Sequence, residues 1–228
     1  MDFNKAASGK QKLNGRRIAY VGNIGGVIPL DKEVEKLVRA GAYAFEQLGC
    51  DVEEDCFDAS DIQDIIMGTR GFGMVARYAE RYDKYKDLMT SQLINQVSAA
   101  LDLSVRDVVR SERLRTEYWH KVRRFMENFD YIVAPVVGAP PFRLDEPLPK
   151  QVGGVEVDRF QDVFLSTYVF SVTGLPMMSV PCGLTQDGRP VGMQIIARRH
   201  REDQAIEAAS AYERLLPDLF VRPKMDLT

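Results

Sequence analysis

The stretch GLPMMSVPCGLTQDGRPVGMQII, residues 174–196, decides how this chain folds. Residues 177–181 form an apolar segment entered through Pro176 and closed by Pro181, and residues 191–197 form a second apolar run with one polar residue, Gln194. Short apolar runs bounded by Gly, Pro and polar turn residues read as buried strands. Between them Gln186, Asp187 and Gly188 supply a turn in which glycine takes positive φ without a Cβ clash, and Pro190 restricts re-entry into the second strand. The expectation is a hairpin or a near neighbour of one. Pro176 and Pro181 have no N–H to give a ladder, so they belong at strand ends or at a break in pairing.

On either side of this stretch, strand and helix signals alternate. Residues 17–21 are a short apolar strand followed by the glycine-rich GNIGG, and a helix starts after Asp31, a good N-cap, and runs through Leu48 to a stop at Gly49. A strand at 51–54 completes a β-α-β unit. Residues 62–128 read as mostly helical, with breaks expected near Gly71 and Gly73 and again around 83–87. Within this region Ser104 and Asp107 have the spacing of a capping box, opening a long helix to Glu127. A buried strand at 131–134 is followed by a Pro/Gly-rich loop over 135–154, a helix over 162–172, the hairpin, and an amphipathic helix over 203–216 capped at its start by Asp203. The fold class is α/β: a mixed β-sheet flanked by helices. A single domain over 1–228 is expected, made of a β-α-β unit (1–60), a helical region (61–130) and strands, loop and terminal helix (131–228).

The ordered string Thr173 to Pro176, Ser179 to Gly183 and Gly188 to Ile196 resembles the C-terminal hallmark of the amidase signature family. Upstream, LSVRDVVRSERLRTEYWHKVRRFMENFDYIVAPVVGAPPF (residues 103–142) is similar to that family's arginine-rich helix and the strand after it, and the similarity extends over nearly the whole chain. It implies the C-terminal half of the family's fold. The family hydrolyses amides with a serine nucleophile, a second serine held through a cis peptide bond, and a lysine base whose pKa burial must lower, while backbone donors stabilise the oxyanion. Those groups lie on a glycine- and serine-rich signature in the other half of family members. This chain has no Gly-Gly-Ser-Ser-Gly run, and Ser179 sits inside a strand motif. No catalytic residue is assigned here.

The resemblance also nominates a pocket wall. In the amidotransferases of the family a Lys-Val-Arg on the matching helix meets the substrate carboxylate, and the aligned position is Arg115, preceded here by Arg113 and Leu114. Phe164, Thr167, Tyr168 and Ser171 lie on the helix leading into the hairpin and are substrate-binding candidates on the same ground; their helical spacing equally suits a core. Phe164 standing where the amidotransferase has an acid disfavours a zwitterionic amino-acid amide and favours an apolar or aromatic one.

Composition bounds the rest. With 228 residues, 45% of them hydrophobic and 28% charged, the chain can build one sizeable core or two small ones. A net charge of −3 with Lys and Arg spread among acids gives no nucleic-acid signature. The basic stripe Arg110, Arg113, Arg115, Lys121, Arg123 and Arg124 reads as a solvated helix face. No apolar run reaches the roughly 20 residues of a membrane span, and the polar start MDFNKAASGKQK has no signal-peptide core, so a cytoplasmic protein without membrane contact is expected. Cys50, Cys56 and Cys182 with His120 and His200 make no metal spacing, so no metal or cofactor is predicted and the thiols, Cys182 in the turn between the two hairpin strands included, read as reduced packing groups. A phosphate cradle on GNIGG is disfavoured, because it matches neither GxGxxG nor a P-loop.

Two functions follow. In one, the chain is the C-terminal portion or subunit of an amidase, partnered by an N-terminal half or subunit that brings the catalytic groups to a small-molecule amide, and is inactive alone. In the other, it is a catalytically silent remnant serving as a binding or interaction module.

Overall fold

The structure is a computed structural model that describes residues 1–8 and 12–221. The apolar runs named above become the strands of one five-stranded sheet. After a short helix α1 (Phe3–Ala7) come β1 (Arg17–Tyr20), α2 (Lys32–Tyr43), β2 (Asp51–Glu54), three helices α3 (Ile62–Tyr85), α4 (Ser91–Leu101) and α5 (Val105–Phe125), and β3 (Tyr131–Pro135). A two-stranded ribbon, β4 (Gln151–Val152) and β5 (Val155–Glu156), and two helical pieces, α6 (Phe160–Val163) and α7 (Leu165–Ser171), precede the hairpin β6 (Met177–Leu184) and β7 (Pro190–Ala197) and the last helix α8 (Glu202–Leu215). The strand order is β2-β1-β3-β7-β6; β1 is parallel to both β2 and β3, while β7 is antiparallel to β3 and β6.

Alternation along the strands builds two cores. Ile18, Tyr20, Tyr131, Val133, Met193 and Ile195 face α2 and α8, while Ala19, Ile132, Ala134 and Ile196 face α3, α5 and α7. Both faces of β1, β3 and β7 are covered, which is why these strands read as nearly continuous apolar runs. Gln194 is the polar exception. Only 3% exposed, it donates from Nε2 to the carbonyls of Pro135 at 2.9 Å and Ser166 at 3.1 Å, tying α7 to the end of β3.

Local chemistry explains most boundaries. Asp31 accepts from the amides of Glu33 and Val34 at the start of α2, and the helix tightens into a 3-10 segment over Ala44–Leu48 before Gly49, at φ +77°, turns the chain. The expected α-helix to Leu48 therefore ends a turn earlier. The Ser104–Asp107 capping box opens α5 as predicted. Thr185 and Arg189 close the hairpin turn around Gly188 (φ +84°), with Thr185 N donating to the Arg189 carbonyl at 2.9 Å.

Five expectations need correction. The helix over 62–85 does not break at Gly71 or Gly73; it breaks only after Tyr85. Its glycines mark close crossings instead: a Cβ on Gly68 would collide with Ser111 of α5, and one on Gly71 with Leu103. The helix expected over 162–172 starts at Phe160 and is divided at Phe164. Strand β6 does not close at Pro181. It is an edge strand, so a residue with no N–H is tolerated, and the register shifts between Pro181 and Gly183. Cys182 therefore lies inside a strand and not in a turn, with its thiol against the Val191 carbonyl at 3.4 Å. Finally, Asp203 does not cap α8; it sits in the first turn and accepts from Arg201 Nε at 3.0 Å. Among the described residues no helix is long and apolar enough to cross a membrane.

Candidate functional site

Helices α3, α5 and α7 meet on one side of the sheet and leave a groove of about 390 Å³ between them. From α5 comes Arg115, whose Nε donates to the Val172 carbonyl at 2.8 Å and whose Nη1 lies 3.5 Å from Glu112. From α7 come Tyr168 and Ser171, and from α3 come Ile66, Thr69, Arg70, Gly73, Met74 and Arg77. Three sequence candidates, Arg115, Tyr168 and Ser171, thus share one groove.

The other two point elsewhere. Thr167 donates its hydroxyl to the Val136 carbonyl at 2.7 Å, beside Ser166, which makes the same bond at the same distance. Together with Gln194 these hydroxyls anchor α7 to the sheet. Phe164 lines a separate cavity of about 210 Å³ with Val137, Pro140 and Val163. Ser171 Oγ donates back to the Thr167 carbonyl at 2.7 Å, a bond within its own helix.

The α3 side of the groove is what the sequence reading missed. Ile66, Arg70, Gly73 and Arg77 are spaced by four, three and four residues, one face of an uninterrupted helix, and reading Gly71 and Gly73 as a break hid that stripe. The signal was present in the spacing. Arg70 sits at the divide between this groove and a second cavity of about 550 Å³ between α3 and α4, since Ile66, Arg70 and Met74 line both. Its guanidinium carbon is 5.7 Å from the Tyr168 ring centroid.

The electrostatics argue against acid–base catalysis by the groups nearby. Lys121 Nζ donates to Asp58 at 2.6 Å and to Asp61 at 3.1 Å, and the Asp58 bond in particular holds its pKa above the usual lysine value. A lysine base needs the opposite shift. Burial pushes the Cys182 thiol up to about 12 and the Cys50 thiol up to about 11, so neither is poised as a thiolate. Most of the basic stripe on α5 is paired as an ordinary solvated face: Arg110 with Asp64 at 2.6 Å, Arg123 with Glu127 at 2.6 Å, Arg113 with Glu117 at 3.9 Å. In the GNIGG loop the amides of Ile24, Val27 and Ile28 are bonded to carbonyls of the same loop or of Val21, and Gly26 N to Asn23 Oδ1, which leaves little of the amide array a phosphate cradle needs. Among the described residues no group of three or more His, Cys, Asp or Glu could hold a metal ion.

The sequence profile of the amidase family matches residues 2–206. The chain is 28% identical over 214 residues to an acylamidase of Rhodococcus erythropolis, an alignment covering 91% of this chain and 44% of that one. It is 26% identical over 226 residues to the A-type subunit of the glutamyl-tRNA(Gln) amidotransferase of Acaryochloris marina, covering 88% of this chain and 45% of the relative. Its fold superposes on a bacterial aryl acylamidase of the amidase signature family with a TM-score of 0.81 at 28% identity, over 98% of this chain and 49% of that one. The fold likeness extends to a 6-aminohexanoate cyclic dimer hydrolase at a TM-score of 0.74 and 22% identity. The chain spans about half the length of these relatives. The profile match and the shared mixed sheet with its covering helices place the chain in the amidase signature family.

Proposed function

We propose that this chain is the C-terminal portion of an amide hydrolase, forming one wall of the substrate pocket and the scaffold behind it, while a separate stretch of polypeptide brings the serine nucleophile and the lysine base. The observation that carries this reading is the convergence of Arg115, Tyr168 and Ser171 on one groove with no lysine among its described lining residues, while Lys121 on the same helix as Arg115 is held charged by two carboxylates. Such a groove orients a substrate and has no base to activate a nucleophile. The edge strand β6 adds support. Met178 and Ser179 are exposed along it, and an edge that long offers backbone groups to a further strand. Tyr168, Ile66 and Met74 give the groove an apolar lining suited to an apolar or aromatic amide, and Arg115 stands at its rim.

The test is reconstitution. The chain is co-expressed with a polypeptide carrying the family's Ser-Ser-Lys half and assayed on an aryl acyl amide. Turnover is expected from the pair and from neither part alone, and Arg115→Met is expected to raise KM more than it lowers kcat. Turnover by this chain alone would overturn the assignment. A stable monomer that binds no hydrophobic dye, pairs with no second half and turns over nothing would favour a silent binding module.

A further inference from the structure

We propose that the cavity between α3 and α4 is a binding site for a small organic carboxylate, with Arg70 as its anion anchor. This site adjoins the Arg115 groove and shares Ile66, Arg70 and Met74 with it, but Arg115 does not line it, and the proposal stands whether or not the chain contributes to hydrolysis.

The cavity measures about 550 Å³, within the range of small-molecule sites. Arg70 enters it with two neutral partners: Nη2 donates to Gln96 Oε1 at 2.7 Å, and the guanidinium lies against the Tyr168 ring. Its Nε–H is buried and has no acceptor among the described residues. Gln92 Nε2, lining the same cavity, is buried with no acceptor either. An unmade hydrogen bond from a buried donor is destabilising, and more so when the donor is charged. Two such donors in one cavity, one on a permanently charged fork, call for a ligand that supplies oxygen lone pairs and negative charge.

The remaining walls set the ligand's body. Ile66, Met74 and Leu148 give it an apolar surface, while the exposed Asp158 and Arg159 stand at the mouth. Arg159 is already held by Asp162 at 2.9 Å and Gln63 at 2.9 Å, so it does not compete with Arg70 for the anion. A neutral amide would satisfy a donor but leave the charge uncompensated. A monocarboxylate with a short aliphatic or aromatic body satisfies both.

Hexanoate and hexanamide, matched in shape, are the probes. The full chain is titrated with each at fixed ionic strength by NMR, with the arginine Nε–H resonances observed. Saturable hexanoate binding in the millimolar range is expected, with hexanamide at least tenfold weaker and one Nε–H resonance, absent in Arg70→Lys, shifting on titration. Arg70→Met is expected to weaken hexanoate at least tenfold, whereas Arg115→Met changes it less than twofold. Equal affinity for the two probes, no saturation by hexanoate, or loss of binding in Arg115→Met but not in Arg70→Met would overturn the proposal. If Arg70→Met fails to fold, the wild-type comparison of the two probes decides alone. Hexanoate binding here without amidase activity in the reconstituted pair would leave this site standing and remove the hydrolytic reading, and the reverse result would do the opposite.

Discussion

Two glycines five residues apart on α3 should respond to alanine with opposite sign. Gly68 faces α5, where an added Cβ would run into both Cβ and Oγ of Ser111, a residue 2% exposed. Gly73 lies on the same helix with nothing within 4 Å of an added Cβ. In a helix interior, glycine to alanine gains up to about 1 kcal/mol. At Gly73 that gain stands, so Gly73→Ala should be more stable by about 0.5–1 kcal/mol. At Gly68 the collision is with an atom one bond from the α5 backbone, so no rotamer change relieves it and the helices must part, at about 1–3 kcal/mol. The net for Gly68→Ala is a loss of roughly 0–2.5 kcal/mol, centred near 1 kcal/mol. With roughly 2–4 °C of Tm per kcal/mol at this size, the two variants should melt on opposite sides of the wild type. Urea unfolding followed by far-UV circular dichroism gives the free energies, and the double variant Gly68→Ala/Ser111→Gly should recover about 1 kcal/mol relative to the sum of the singles, since the pair is in contact. A destabilised Gly73→Ala would mean that α3 is interrupted there after all. A stabilised Gly68→Ala would mean that the α3–α5 crossing is looser than described, and the Arg70 stripe would lose its frame.

Three further outcomes follow from buried polar groups and thiols. Gln194→Leu keeps the shape but strands the Pro135 and Ser166 carbonyls, and should cost roughly 2–4 kcal/mol; a change under 1 kcal/mol in urea would show that the network does not hold α7. Of the three cysteines, the exposed Cys56 should react quickly with a disulfide reagent at pH 8, while Cys50 and Cys182, pushed up to about 11 and about 12 by burial, should react only after unfolding; two fast thiols would contradict this. Hydrogen bonds from Lys121 and then Ser60 hold the Asp58 carboxyl below its usual range, so its contribution to stability is present above about pH 4 and is lost as pH falls below that, whereas the raised Lys121 contributes below about pH 10 and is lost above it. The stability gap between wild type and Lys121→Met should accordingly be flat from about pH 5 to 9 and narrow towards pH 2; a gap that widens in acid would reverse the assigned sign.

Much of the sheet was legible because its signals are local. The runs at 17–21 and 131–134 and the hairpin carry apolar stretches between turn residues, the acidic strand at 51–54 follows from the β-α-β spacing, and Asp31, Gly49 and Ser104 announce helix ends through bonds made within four residues. What stayed illegible depends on contacts distant in sequence. No local signal says that β7 lies between β3 and β6, which the Ile132–Ile196 and Met178–Ile195 pairings decide. Likewise, Pro181 reads as a strand end until the sheet edge makes it tolerable. Thr167 and Phe164 share a helical region with Tyr168 and Ser171, but the division of the helix at Phe164 and the Val136 carbonyl turn them away from the groove.

The same logic explains why the cavity residues of α3 were invisible. Glycine weakens a helix by about 1 kcal/mol relative to alanine when judged alone, so two glycines within three residues read as a stop. At Gly68 and Gly71 the small residue instead lets α5 and the Leu103 side chain come close, and the packing gained across those crossings outweighs the lost propensity. That close approach carries Arg70 between the two cavities with its Nε–H buried. A sequence rule that treats glycine as punctuation therefore fails where glycine serves packing, and here that place is the helix that lines both candidate sites.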